Sequence, residues 1–154
     1  MKADKTMIKH LNKALGNELV AINQYFLHSR ILKDWGFEKL GEYEYKESLE
    51  EMQHADVLIE RILFLNGLPN LQDLHRLRIG ENVKEILECD LKLEEAAIPE
   101  LRDAITLCEA ETDYVSRDLL SKILENEEEH LDYLETQLGL VEQMGVENYL
   151  QSQV

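Results

Sequence analysis

Apolar residues recur every three or four positions along almost the whole chain, with polar residues filling the gaps between them. From Met7 through Leu11, Leu15, Ile22 and Leu32 this spacing marks one face of a long helix over about 5–35, and Gly36 ends it. A second run over about 38–65 carries Leu49, Leu58 and Ile62 on one stripe. A third, over about 82–111, carries Leu87, Leu91, Ile98 and Ile105. The fourth starts at Asp113, a side chain suited to capping a helix N-terminus, and Gly145 stops it after about residue 144. The tail beyond predicts one short helix over about 146–153.

The connections sort these helices into pairs. Gly36 and the residues around Thr112 leave room only for tight turns, so helices one and two are expected antiparallel, as are three and four. The stretch from Asn66 to Gly80 is 15 residues of irregular sequence. Extended, it reaches about 50 Å, enough to run back along a helix of about 42 Å. One long crossover between two helical hairpins is the ferritin-like arrangement, whereas a four-helix cytokine needs two. The expectation is therefore an all-α, ferritin-like four-helix bundle over 1–154, one domain, with the crossover between helices two and three and a short C-terminal helix. Pro99 falls inside the third run, where it removes a hydrogen bond to Glu95; a kink or a local widening is expected beside Glu94.

Composition narrows the class. With 44% hydrophobic residues the chain can bury a core. Its net charge of −16 repels nucleic acid and anionic membrane and favours cationic ligands or basic partners. The N-terminus lacks the apolar run of a signal peptide, and no stretch is long and apolar enough to span a bilayer, so a cytoplasmic protein is expected. Cys89 and Cys108 lie about 28 Å apart along one predicted helix, too far to bridge within it. They read as small hydrophobes.

Six residues depart from the core pattern. Glu18 is the only acidic residue between Lys5 and Lys33, and it sits on the apolar stripe. Buried there, its carboxylate needs a metal, a cation or a proton. The second helix offers Glu51 and His54, the fourth Glu127 and His130; a separation of three puts each pair on one face. Glu51 to Glu127 is 76 residues, as is His54 to His130, and adding 76 to Glu18 lands on Glu94. The same offset pairs Leu11 with Leu87, Leu15 with Leu91, Ala21 with Ala97, Ile22 with Ile98 and Leu58 with Leu134. The two hairpins thus read as a faint repeat whose polar residues meet about a pseudo-two-fold axis. One Glu from each of two helices and Glu-x-x-His from each of the others is the pattern of di-iron carboxylate bundles. A salt-bridge network would need about four positive charges, and the interior positions supply no Lys or Arg. Two divalent ions supply that charge, and oxygen-rich ligation with imidazole suits iron or manganese.

The stretches LGNELVAINQYFLHSR, EEMQHAD, IERILFLNGLPNLQDL, DYVSRDLL and ENYLQSQ resemble the bacterioferritin family, and the likeness runs along nearly the whole chain. That resemblance implies a hollow shell of about twenty-four subunits, ferric mineral inside it, and a di-iron ferroxidase centre at Glu18, Glu51, His54, Glu94, Glu127 and His130. It implies Tyr25 beside the metals as an electron donor. It also implies haem b shared between two subunits through a methionine from each, which maps to Met52. A small iron-sulfur ferredoxin as reductant and a second subunit type are further partners known in the family. From the residues alone, Met52 is rotated about 100° from Glu51. It shares its face with Tyr45, Leu49, Ile59 and Leu63, a pattern more typical of interface filler than of a ligand. Where some relatives carry a histidine and an aspartate for an extra site on the cavity wall, this chain has Lys46 and Glu50, which puts that site in doubt.

The expected function is oxidation and storage of iron. Two alternatives stand beside it: a di-iron oxidase or peroxidase without a shell, and a structural helical subunit without ferroxidase activity.

Overall fold

The computed structural model describes residues 1–154. Five helices follow in order: α1 (Lys5–Asp34), α2 (Glu38–Phe64), α3 (Val83–Ala110), α4 (Tyr114–Met144) and α5 (Val146–Gln151). Three N-termini are capped by side chains: Asp4 accepts from the Thr6 amide, Asn82 from the Glu85 amide and Asp113 from the Ser116 amide. Both tight turns use positive-φ backbone, at Gly36 (φ 93°) after α1 and at Thr112 (φ 56°) after α3, as do Asn66 (φ 61°) after α2 and Gly145 (φ 81°) after α4. At the second, the Asp113 amide donates to the Cys108 carbonyl at 2.9 Å, closing the helix end before the chain reverses.

Contacts between helices give their directions. Along α1 and α3, Met7 meets Cys108, Asn17 meets Glu100, Tyr25 meets Glu94 and His28 meets Asp90, so the two run antiparallel. Between α2 and α4, Arg61 meets Ser116, His54 meets Asn126 and Tyr43 stacks on Tyr133, again antiparallel. With each tight turn reversing the chain, α2 and α3 point the same way. The segment joining them must therefore return the length of the bundle, which is why this connection alone is long. The architecture is the ferritin-like four-helix bundle with α5 closing one end.

The crossover lies along α1 and is tied to it at intervals. Asn12 donates to the Leu68 carbonyl and accepts from the Asn70 amide. Farther on, Gln24 accepts from the Arg78 amide at 3.0 Å and His28 Nε2 from the Gly80 amide at 3.1 Å. Both of those side chains turn their other end to one atom, Asp90 Oδ1 on α3, at 2.9 Å each. Because Nε2 of His28 accepts, the ring proton sits on Nδ1 and donates to Asp90. The buried His28 and Asp90 thus serve to satisfy backbone amides of the crossover, which would otherwise be orphaned where the loop is covered.

α3 continues as α-helix through Pro99 without interruption, so the widening expected from the sequence is absent. Pro99 and Glu95 both lie on the exposed face, where water can take the carbonyl that proline leaves unpaired. Cys108 is buried with its Sγ 3.5 Å from Met7 Sδ, while Cys89 is half-buried; both are free thiols. No helix is long and apolar enough to cross a membrane.

Gly80 ends the crossover under close constraint. A Cβ there would lie 2.3 Å from the backbone nitrogen of Ile86, on a helix that cannot yield locally. Gly80→Ala is expected to destabilise by about 1–3 kcal/mol, as overpacking against fixed backbone does. Thermal unfolding of the variant reads this; an unchanged midpoint would mean the crossover can move aside.

Candidate metal centre

The bundle interior is not one continuous apolar core. Toward one end, Met7, Leu11, Leu15, Leu58, Ile62, Leu101, Leu120 and Ile123 pack together. Toward the other, Leu32, Leu40, Ile86, Leu87, Leu134, Val141 and Tyr149 form a second cluster. Between them the four helices turn Glu18, Glu51, His54, Glu94, Glu127 and His130 inward, each no more than 6% exposed. The placement follows from helix geometry. Glu18 is one turn beyond Leu15, and the three-residue spacing on α2 and α4 keeps each Glu and His on the inner face.

These six side chains form two overlapping sets. Ligand-type atoms of Glu18, Glu51, His54 and Glu127 lie within 4.8 Å of one another, and so do those of Glu51, Glu94, Glu127 and His130. Glu51 and Glu127 belong to both. Each set adds one private carboxylate and one histidine, Glu18 with His54 and Glu94 with His130. His54 Nδ1 faces the carboxylates, at 3.2 Å from Glu127, 3.5 Å from Glu51 and 3.5 Å from Glu18. His130 Nδ1 lies 3.2 Å from Glu94.

The site is underfilled by protein donors. Glu18 Oε2, Glu51 Oε2, Glu94 Oε2, Glu127 Oε1 and His54 Nδ1 are buried without a hydrogen-bond partner. No lysine or arginine is among the buried residues. Orphaned acceptors converging in this way are costly unless protons or cations fill the space between them. Protonation equilibria respond accordingly. Burial first, then the Glu127 carboxylate, pushes Glu94 up to about 8, and burial followed by Glu51 does the same to Glu127, also to about 8. Burial raises Glu51 too. For the histidines burial works in the opposite direction, but it is outweighed. The adjacent Glu127 and Glu51 carboxylates bring His54 to about 10, and Glu94 brings His130 to about 9. Without metal, this cavity holds protons.

Tyr25 is fully buried beside the centre, its hydroxyl donating to Glu94 and lying 3.1 Å from His130 Nδ1. Burial and the neighbouring Glu94 hold the phenol well above its usual range, so it stays protonated. Met52 lies apart from this centre, 54% exposed, in a depression of about 700 Å³ lined also by Leu19, Ile22, Asn23, Leu49 and Ile59. Lys46 pairs with Glu42 at 3.3 Å on the exposed face of α2, and its ammonium offers no lone pair to a metal.

Sequence reading missed three polar groups near the centre. Glu47 is half-buried, 3.8 Å from His130 Nδ1. Glu44 and Asp90 are fully buried together with His28, and Glu44 has neither oxygen hydrogen-bonded. Burial, then the neighbouring Asp90, raises the Glu44 carboxyl well above its usual range. The signal was spacing: Glu44 and Glu47 precede Glu51 by seven and four residues, and Asp90 precedes Glu94 by four, which puts them on the same faces.

Comparison with known proteins places the chain in a family. The ferritin-like domain matches residues 8–144. A bacterioferritin of Brucella melitensis is 50% identical over 149 residues, covering 97% of this chain and 92% of the relative. A bacterial ferritin of Synechocystis is 48% identical over 155 residues, covering 100% and 99%. A bacterioferritin of Mycolicibacterium paratuberculosis is 46% identical over 149 residues, covering 97% and 94%. With its bundle, its crossover and its sequence in accord along nearly the full length, this chain belongs to the bacterioferritins within the ferritin-like family.

Proposed function

We propose that the protein stores iron, oxidising ferrous ions at the six-residue centre with dioxygen or peroxide and holding ferric mineral inside a shell built from many copies of itself. The observation that carries this reading is the sharing of Glu51 and Glu127 by both ligand sets. Two carboxylates common to two sets, each with its own Glu and His, define a dinuclear site. Iron is the substrate: one ion is held by Glu18 and His54, the other by Glu94 and His130, with Glu51 and Glu127 between them. Two divalent ions balance four carboxylates, and in this dry interior they take the place of the protons on Glu94, Glu127 and the histidines.

The chain contributes position and charge. Ligands on four rigid helices hold two ions at a fixed separation, and Tyr25 fixes the Glu94 carboxylate by its hydrogen bond. Tyr25 is also the buried group best placed to give up an electron to the centre. The high negative charge gives the protein surface an affinity for cations. Assembly into a homo-oligomeric shell of about twenty-four subunits, residence in the cytoplasm and a ferredoxin reductant belong to the same reading, carried by family membership.

Haem b is the remaining element. The exposed Met52 thioether in an apolar depression suits a flat hydrophobic group shared with a second copy of the chain, each subunit giving one sulfur. When bound there, haem supplies a one-electron carrier whose potential sulfur ligation raises. Around it, Leu19, Ile22, Leu49 and Ile59 would keep water from the ring.

Three measurements test this reading. Adding ferrous iron in air is expected to give a fast oxidation phase that saturates at two irons per subunit; Glu18→Ala and His130→Ala remove it while circular dichroism stays helical. Normal fast oxidation in both variants would refute the centre. Met52→Leu is expected to abolish haem in the purified shell, and unchanged haem content overturns that assignment. The third concerns metal removal. The folded pKa values of Glu94 and Glu127 (about 8), His54 (about 10) and His130 (about 9) lie above their unfolded values. Their protonated forms therefore favour folding, fully at low pH, and that stability is lost as pH rises through those values. The metal-free protein should show a falling thermal midpoint from about pH 6 to pH 9, and loading with a divalent ion should flatten the trend. A midpoint independent of pH without metal would contradict the buried proton store.

A further inference from the structure

The two halves of the centre are not equivalent, and the difference lies at the outer nitrogens of the histidines. His54 Nε2 meets the side-chain amide of Asn126 at 3.0 Å. His130 Nε2 is buried and has no partner. The 76-residue repeat offers His130 no counterpart: the position equivalent to Asn126 is Glu50. Glu50 instead lines, with His54, Asn126, Asp118 and Lys122, a surface depression of about 530 Å³ on the His54 side.

The chemistry of imidazole turns this into a functional asymmetry. A neutral ring carries one proton, and a nitrogen that binds metal must be the other one. His54 Nδ1 faces the carboxylates, so a metal there requires the proton on Nε2 and an acceptor to take it. The Asn126 amide stands with Nδ2 toward the ring, and a half-turn about its terminal bond presents Oδ1 instead. Half-buried at the edge of the depression, it has room to turn. At His130 a metal on Nδ1 would leave a buried Nε2–H with nothing to accept it, a penalty that Asn126 removes for His54.

We infer that Asn126 is a positioning residue of the metal centre, holding the His54 proton on Nε2 through its side-chain oxygen and making the Glu18–His54 half the first to fill. The inference rests on the dinuclear reading above and adds an order to it. Asn126 touches neither metal nor oxidant in this role; it acts through His54.

Cobalt(II), added to metal-free protein, tests it without any oxidation. Calorimetry together with the visible d–d spectrum should resolve two binding steps per subunit, and Glu18→Ala should remove the first. Asn126→Leu is expected to weaken that first step by about 10–100-fold and alter its spectrum, leaving the second unchanged. Asn126→Asp, which restores an acceptor oxygen, should recover both affinity and spectrum. Two steps of unaltered affinity in Asn126→Leu would overturn the inference while leaving the dinuclear site intact. Equal weakening of both steps, not rescued by Asp, would also overturn it, as the mark of a merely structural residue. An absence of saturable cobalt binding in the parent protein would refute the dinuclear reading itself, and this inference with it.

Discussion

Four carboxylates are buried between two apolar clusters with no buried lysine or arginine to neutralise them. Everything else in the bundle accommodates that constraint. In water each of these groups would be solvated; in the interior an anion without a partner is destabilising by several kcal/mol. Protons are one remedy, and the upward shifts of Glu94 and Glu127 record it. Divalent cations are the other. A protein that tolerates such a strip at the middle of its core carries it for the sake of what binds there. The flanking clusters pack the four helices together on either side of the strip.

Topology makes that strip reachable from all four helices. Because α2 and α3 are parallel, the chain must travel the length of the bundle between them, and an extended segment of that length has backbone groups to satisfy. Asp90 answers this at one end of the crossover. Through Gln24 and His28 it relays a single carboxylate oxygen to the amides of Arg78 and Gly80. The buried trio of His28, Glu44 and Asp90 is therefore explained largely by architecture, even though its atoms are as close together as those of the metal centre. Both nitrogens of His28 are committed to hydrogen bonds, whereas His54 and His130 leave atoms unpaired. Proximity alone does not distinguish a ligand set from a brace, and neither do unpaired oxygens, which Glu44 and Asp90 also carry; the difference lies in the histidine, whose two nitrogens are both committed at His28.

Much of this was legible in the residues. Periodicity marked the four long helices, and the length of the stretch after Asn66 singled out the crossover topology, because chain reach is a linear quantity that any sequence displays. The offset of 76 joins Glu18, Glu51 and His54 to Glu94, Glu127 and His130 in the sequence itself. Burial of an isolated glutamate on an apolar stripe is visible in one dimension for the same reason. At Pro99 the helix continues without widening, and the carbonyl that the proline frees lies on the exposed face where water can take it. Glu44 and Asp90 do not stand out in the sequence from the many surface carboxylates.

Spacing along helices thus told which side chains share a face, and charge counting told that the shared face needs cations. Only the packing of four helices against one another decided how the six are divided. That Glu51 and Glu127 serve both halves, that Tyr25 reaches Glu94, and that Asn126 supports one histidine while the other has no such partner are distances between helices. The repeat in the sequence is symmetric in its ligands, but hydrogen bonds form across the bundle, where the surrounding residues do not repeat. The physical reason is the difference in dimension: helical period orders residues along a line, whereas a metal site is an arrangement of lone pairs around a point.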